Sequence, residues 1–190
     1  RILILVDGHR INDNILVQAL IGTAFPLDID LIERIEVIRG PGSSLYGNSA
    51  FFAVINVITR SGRNLKGFET SGEAGSSEAY KTRFSYGNRF QNGLEMILSG
   101  SYYNSEGHDR LFFREFDDPK TNNGIAEDLD YDRFNHFFGD ISFRDFTLQG
   151  NYFSRKKGIP TAPYETAFNE DSFAIDDTAW ADLKYERVYG

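Results

Sequence analysis

The chain has 190 residues, with 28 Asp and Glu against 20 Lys and Arg, a net charge of −8 and no cysteine. The acidic balance disfavours a general nucleic-acid footprint. The missing thiols exclude disulfides, thiolate zinc sites and cysteine nucleophiles. Seventeen Phe and ten Tyr stand beside one Trp, one Met and 18 Gly, the composition of a β-rich chain.

In chain order, ILILV (2–6) ends in Asp7-Gly8, a turn signal. RIEVI (34–38) ends in Arg39-Gly40-Pro41-Gly42, and AVINVIT (53–59) ends in Arg60-Ser61-Gly62. Short Ile/Val runs bounded by glycine read as strands buried on both faces. LDIDLIERI (27–35) opens with a helical turn after Pro26. From Pro41 to Thr59 there is no charged residue, a length close to the about 20 residues of a helical membrane span. Pro41, Gly42, Ser43, Ser44, Gly47, Asn48, Ser49 and Asn56 dilute it, however, and its first half is a turn sequence, which argues against a span. Residues 1–63 read as a small mixed α/β domain.

From about Lys66 the pattern changes to strict alternation. In YKTRFSYGNRF, Tyr80, Thr82, Phe84, Tyr86 and Phe90 oppose Lys81, Arg83, Ser85 and Arg89. In GLEMILSGSYY, Leu94, Met96, Leu98, Gly100 and Tyr102 oppose Glu95, Ser99, Ser101 and Tyr103, with Ile97 the exception. Phe146, Leu148, Gly150 and Tyr152 oppose Thr147, Gln149 and Asn151, while Ala179, Ala181, Leu183 and Tyr185 oppose Asp182, Lys184 and Glu186. Six strands are predicted, near 66–75, 79–90, 94–104, 132–143, 146–156 and 178–189. Each has about 10 residues, the length of a tilted strand crossing a bilayer. After a short first join at 76–78, tight joins at 90–94 and 144–145 alternate with long ones at 105–131 and 157–177. That is the rhythm of an outer-membrane barrel, short turns on one side and long loops on the other. A soluble β-sandwich also alternates, but strand length, loop asymmetry, aromatics near strand ends and water-requiring Lys and Arg on the opposite face favour the barrel.

VDGHRIND (6–13), then IERIEVIRGPGSSLYGNSAFFAVINVITRSG (32–62), then alternating strands, resemble the TonB-dependent outer-membrane receptor family. The match is specific over the some thirty contiguous positions of the second block and looser beyond it. The resemblance implies a mainly β chain: the C-terminal part of a plug domain (1–63), then antiparallel transmembrane barrel strands (64–190), six of about 22. It implies that Pro41–Thr59 is uncharged because it is buried in protein, and that Arg39 locks plug to barrel through acids on later strands. The chain then reads as a fragment cut at both ends, lacking the TonB box and the first half of the plug. The implied function is import of a scarce ligand across the bacterial outer membrane with TonB-derived energy. A ferric siderophore leads, with cobalamin, haem or a sugar behind it. The implied partners are TonB, a small-molecule chelate and outer-membrane lipid; no cofactor and no nucleic acid are expected. The competing function is a non-transporting β-sandwich or adhesin-type binding protein.

The remaining motifs add little chemistry. Gly40-Pro41-Gly42 with Gly47 lacks the G-K-[ST] of a phosphate loop. Asp128, Asp130 and Asp132 space like a calcium loop, but Arg133 and Gly139 stand where that loop needs Gly and Glu, leaving only a weak calcium reading. His9, His108 and His136 have no zinc spacing. No nucleophile–base pair emerges, so no enzyme is expected. The ligand candidates are Asn12, Asp13 and Asn14 after the Asp7-Gly8 turn, Phe112, Phe113 and Phe116 in one long loop, and Tyr164 and Phe168 in the other. Exposed loop aromatics either anchor a chelate or pack the loops together.

Overall fold

The computed structural model describes residues 2–13, 18, 20–40, 42–47, 49–163 and 166–187. Strands β1 (Ile2–Val6) and β2 (His9–Arg10) form a hairpin whose two turn residues, Asp7 and Gly8, both have positive φ, 47° and 87°. That left-handed pair matches the twist of the flanking strands. Two short 3-10 turns follow, the second at Ile29–Leu31, where the side chain of Asp28 accepts a hydrogen bond from the Asp30 N–H. This is the helical turn expected after Pro26. Strand β3 (Ile32–Arg39), the single-turn helix α1 (Ser43–Tyr46) and strand β4 (Ala53–Thr59) complete a four-stranded sheet in the order β2-β1-β4-β3. Strand β4 runs parallel to β1 and antiparallel to β3. β1 and β4 are largely buried, as their Ile/Val runs predict, but β3 is not. It is an edge strand, and Ile35, Val37 and Ile38 are exposed on it.

Helix α2 (Gly62–Leu65) ends on Lys66 in the left-handed conformation, which turns the chain into the second sheet. That sheet contains β5 (Gly67–Ala74), β6 (Tyr80–Arg89), β7 (Glu95–Ser105), β10 (Asp132–Phe143), β11 (Phe146–Gly158) and β12 (Phe173–Tyr185), each antiparallel to its neighbours in that order. Between β7 and β10, β8 (Arg110–Phe112) and β9 (Ile125–Glu127) make a separate hairpin in the long loop. The expected strand limits hold closely for the first five. The sixth starts five residues earlier than its pattern suggests, at Phe173, and ends at Tyr185 rather than 189. Consecutive Asp176-Asp177 read as loop, yet β11 and β12 pair without interruption from Phe146↔Tyr185 to Gly158↔Phe173, and Asp176 takes an ion pair from Arg155.

The wall is inverted relative to a soluble sheet. Its polar face is the buried one: Arg83 is 2% exposed and Gln149 2%, whereas Phe84 is 68% and Leu183 71% exposed on the other side. Water would penalise so much contiguous apolar surface; hydrocarbon outside and a filled lumen inside are the surroundings that such a wall fits. Among the described residues no helix is long and apolar enough to cross a membrane.

The first sheet packs on the inward face of this wall. Ile4, Val6, Ile11, Leu27, Leu31 and Val57 form one cluster with Ile97 of β7 and Phe138 of β10. Ile97, which breaks the alternation in sequence, is therefore one of the points, with Phe138, where the wall supplies an apolar side chain to the first sheet. A smaller cluster, Leu3, Leu5, Ala50 and Val54, lies apart from it.

Candidate functional site at the seam between the two sheets

Around the apolar contact the seam is tied by charge and hydrogen bonds. Arg83 is central: its Nη2 donates to Asp30 of the first sheet at 3.1 Å and to Glu69 of β5 at 2.7 Å. Arg60, at the end of β4, places its two Nη groups on the two oxygens of the same Glu69, at 3.1 and 3.2 Å. Lys81 reaches Asp28 at 3.0 Å. Arg63 donates from Nε, Nη2 and its backbone N–H to Glu95. At the Asp7-Gly8 turn, Gln149 Nε2 donates to the Asp7 carboxylate at 2.7 Å and Lys184 Nζ to its backbone oxygen at 2.6 Å. His9 stacks on Trp180 at 4.2 Å and meets Asp182 at 2.8 Å. The seam also demands close approach. A Cβ on Gly62 would stand 2.1 Å from the Met96 carbonyl oxygen and 2.7 Å from that of Asn88.

The resemblance implies a lock at Arg39 with its acids on later strands; here Arg39 stands exposed at the end of β3, with no ion pair among the described residues. The ties present run through Arg60, Arg63 and Arg83. Of these only Arg83 had a signal in sequence, as a cation on the polar face of β6 that needs water; Arg60 and Arg63 lie in the turn and helix after β4, where no role was read for them.

Toward the long-loop end, a cavity of about 340 Å³ lies between residues 22–29 and the wall. Phe25, Leu27 and Ile29 line it from the first sheet's side, and Tyr103, Phe134, Phe153, Lys81 and His136 from the wall. Tyr103 and Phe134 stack at 5.0 Å, and Phe134 leans on Phe153 at 5.8 Å. His136 is held by Asn151 at 2.7 Å. Such an aromatic shelf with a few fixed polar groups is the makeup of a small-molecule site. None of its wall residues was read from sequence as a ligand contact: Lys81 and Tyr103 were placed only on polar strand faces, and His136 was named only as lacking zinc spacing.

The residues singled out from sequence go elsewhere. Asn12 is 4% exposed, and its amide is used inside the first sheet, accepting from Ile4 N–H at 2.8 Å and donating to the Ile2 carbonyl at 3.0 Å. Asn12 is thus engaged mainly within the first sheet. Asp13 lines, with Asn12, His9, Gln18 and Trp180, a second cleft of about 670 Å³ along β12. Asn14 and Tyr164 lie outside the described residues. Phe168 stacks on Phe116 at 4.3 Å and meets Phe113 edge-on at 6.0 Å, so these three join the two long loops to each other. Phe112 remains 62% exposed. Replacing Phe168 with Ala should leave the global unfolding transition in place but speed proteolytic cleavage in both loops, since aromatic pairs contribute about 0.5–1.5 kcal/mol beyond burial. Cleavage confined to one loop would contradict the pairing.

The three aspartates of the calcium reading do not form a cage. Asp132 points inward to Arg155 at 2.8 Å, Asp130 holds Lys157 at 2.6 Å, and Asp128 sits in a turn with φ 57°. Among the described residues no group of three or more metal-ligating side chains converges. Burial works against ionising Asp130, but hydrogen bonds from Lys157 and His108 outweigh it and hold its pKa below the ordinary value. Asp130 therefore pins the loop to β11 at neutral pH, and the contribution fades only as pH falls below about 4, the ordinary Asp range. Loop proteolysis rates measured from pH 7 down to 3 should stay flat until that point.

Residues 1–54 match the TonB-dependent Receptor Plug Domain family. The vitamin B12 transporter BtuB of Vibrio vulnificus (strain CMCP6) is 42% identical over 110 residues, 57% of this chain and 17% of the transporter. The chain thus spans less than a fifth of that curated relative. The ferric enterobactin receptor of Pseudomonas aeruginosa (PfeA), a mutant in complex with enterobactin, superposes with a TM-score of 0.55 at 20% identity, over 88% of this chain and 27% of that one. The ferripyoverdine receptor of the outer membrane of Pseudomonas aeruginosa, bound to ferripyoverdine, gives 0.51 at 16% identity, over 95% and 24%. At those identities the two structures speak for the fold alone. The relatives are receptors and transporters, not enzymes. Residues 1–54 thus carry a TonB-dependent receptor plug domain, and the plug-type sheet seated on an inverted wall makes the chain as a whole similar to the TonB-dependent receptors of the outer membrane.

Proposed function

We propose that the receptor carrying this chain captures a scarce extracellular metal chelate at the loop-side mouth of the seam and imports it with TonB-derived energy. The observation that carries the reading is the aromatic cavity where residues 22–29 of the plug meet Tyr103, Phe134 and Phe153 of the wall. It touches both parts, so an occupant would bias how they sit against each other, which is what import through a plugged barrel requires. The energy is proposed to come through TonB, and Arg39 is proposed to meet carboxylates of the wall.

A ferric siderophore is the cargo read first from sequence. A corrinoid is the second reading, supported by the 42% identity to a vitamin B12 transporter. Both are metal complexes, and a corrinoid or a siderophore that carries aromatic rings suits an aromatic shelf. The test is equilibrium binding of a ferric-siderophore panel and of cyanocobalamin to the full-length receptor. Tyr103→Ala and Phe134→Ala should each weaken the bound chelate about 10- to 100-fold, as truncating a central aromatic anchor does. Binding of cyanocobalamin alone would remove the iron reading. No binding across the panel would remove import of a chelate and leave the adhesin-type alternative.

A further inference from the structure

The size of the cavity between residues 22–29 and the wall says what enters it. An apolar cavity of about 150 Å³ takes one benzene ring. This one has about 340 Å³, room for two fused rings, and lies at the small end of the about 300–1,000 Å³ that ligand pockets span. A pendant group of a chelate fits; the whole complex does not.

The charges on its lining are already matched. Lys81 Nζ stands 3.0 Å from each oxygen of the buried Asp28. Thr23 donates its hydroxyl to Asp132 at 2.7 Å, and Asp132 is paired with Arg155 at 2.8 Å. An ionised group entering here would lose its water and find each counter-charge taken, which is unfavourable. The charged metal centre therefore stays at the mouth, and the group that enters is neutral. The stacked Tyr103 and Phe134 rings and the fully buried Phe153 offer it flat apolar faces.

One group on the lining has hydrogen-bonding capacity to spare. His136 is 4% exposed, and its Nε2 is 2.7 Å from Asn151 Oδ1. The amide oxygen accepts, so Nε2 carries the hydrogen and Nδ1 presents a bare lone pair. Nδ1 is buried and has no hydrogen-bond partner among the described residues. The Pro26 carbonyl beside the ring is an acceptor too, so it does not satisfy that lone pair. A buried acceptor left without a donor is unfavourable, and an incoming N–H or O–H relieves it.

We propose that this cavity takes one uncharged aromatic group of up to two fused rings from the cargo, and that His136 selects it by accepting a hydrogen bond from an N–H or O–H on its edge. The inference rests on the reading of the cavity as the capture site, and it narrows the cargo to a complex that carries such a ring.

The test measures equilibrium binding of 2-naphthol and naphthalene to the full-length receptor, since the pair differs by one hydroxyl. The ratio of their affinities should fall about fivefold in His136→Phe, which keeps a ring and removes the lone pair. An unchanged ratio would overturn the role of His136, because a packing role would weaken both probes alike. Ile29→Trp is the second variant. Ile29 lines the cavity yet is 70% exposed, so the fold tolerates the change. It should weaken both probes about tenfold by occupying their place; unaltered binding would overturn the site. Displacement of 2-naphthol by the four-ring 1-hydroxypyrene would overturn the size limit. The probes carry no metal, so chelate binding without probe binding sinks this inference alone. Probe binding without chelate binding sinks the capture reading and leaves the ring site standing.

Discussion

Replacing Gly62 with alanine should unseat the plug from the wall. The added methyl would meet two backbone carbonyls, Met96 at 2.1 Å and Asn88 at 2.7 Å. These two residues are directly paired between β6 and β7, so neither carbonyl can swing away without breaking the ladder. Forcing a group into packed backbone costs about 1–3 kcal/mol and sometimes more, and here the upper end applies because nothing flexible can yield. Thermal unfolding of the full-length receptor in detergent should show a lower midpoint for Gly62→Ala and a still lower one for Gly62→Val. Gly72→Ala is the control, since its Cβ would meet nothing within 4 Å. It should stay within about 0.5 kcal/mol of the parent. An unchanged midpoint for Gly62→Ala would contradict the seating described above.

Arg83→Met should have the second-largest effect. The guanidinium is the shared partner of Asp30 and Glu69, and its side chain is 3% exposed. Methionine fills much of the same volume but leaves two carboxylates facing each other with only Arg60 between them. Breaking a buried ion pair costs about 3–5 kcal/mol. Because Asp30 and Glu69 are 38% and 36% exposed, water recovers part of that loss, and about 2–4 kcal/mol is expected. Arg83→Met combined with Glu69→Gln should recover stability relative to the single variant, because it removes one stranded charge. No recovery in that double-mutant comparison would mean that Arg83 acts through packing rather than charge.

Much of this architecture is legible in the sequence, for reasons that differ between its parts. The wall strands announce themselves because a period of two is a local property: Phe84, Leu98 and Leu148 need only their neighbours in sequence to be read. The one strand misplaced, β12, begins where Asp176 and Asp177 interrupt the pattern, and the compensation for Asp176 comes from Arg155 on another strand. The plug is legible through its motif rather than its periodicity. The site is less so. Phe113, Phe116 and Phe168 were singled out as exposed loop aromatics, and sequence alone left open whether they bind or pack; they pack. Asn12 looked like a free amide after a turn, but its partners are the backbone groups of Ile2 and Ile4. The cavity unites residues 22–29 with Tyr103, Phe134 and Phe153 across more than a hundred positions. No spacing rule reaches that far, since the register of one sheet on another is set only when both have folded.

The apolar cluster that Ile97 and Phe138 share with Ile4, Val6, Leu31 and Val57 bears on biogenesis. A stopper whose interior is finished by side chains from the surrounding strands has no complete fold of its own to reach first. Completion of its core is then coupled to the pairing of β7 with β10, so truncating Ile97 or Phe138 loosens both sheets together.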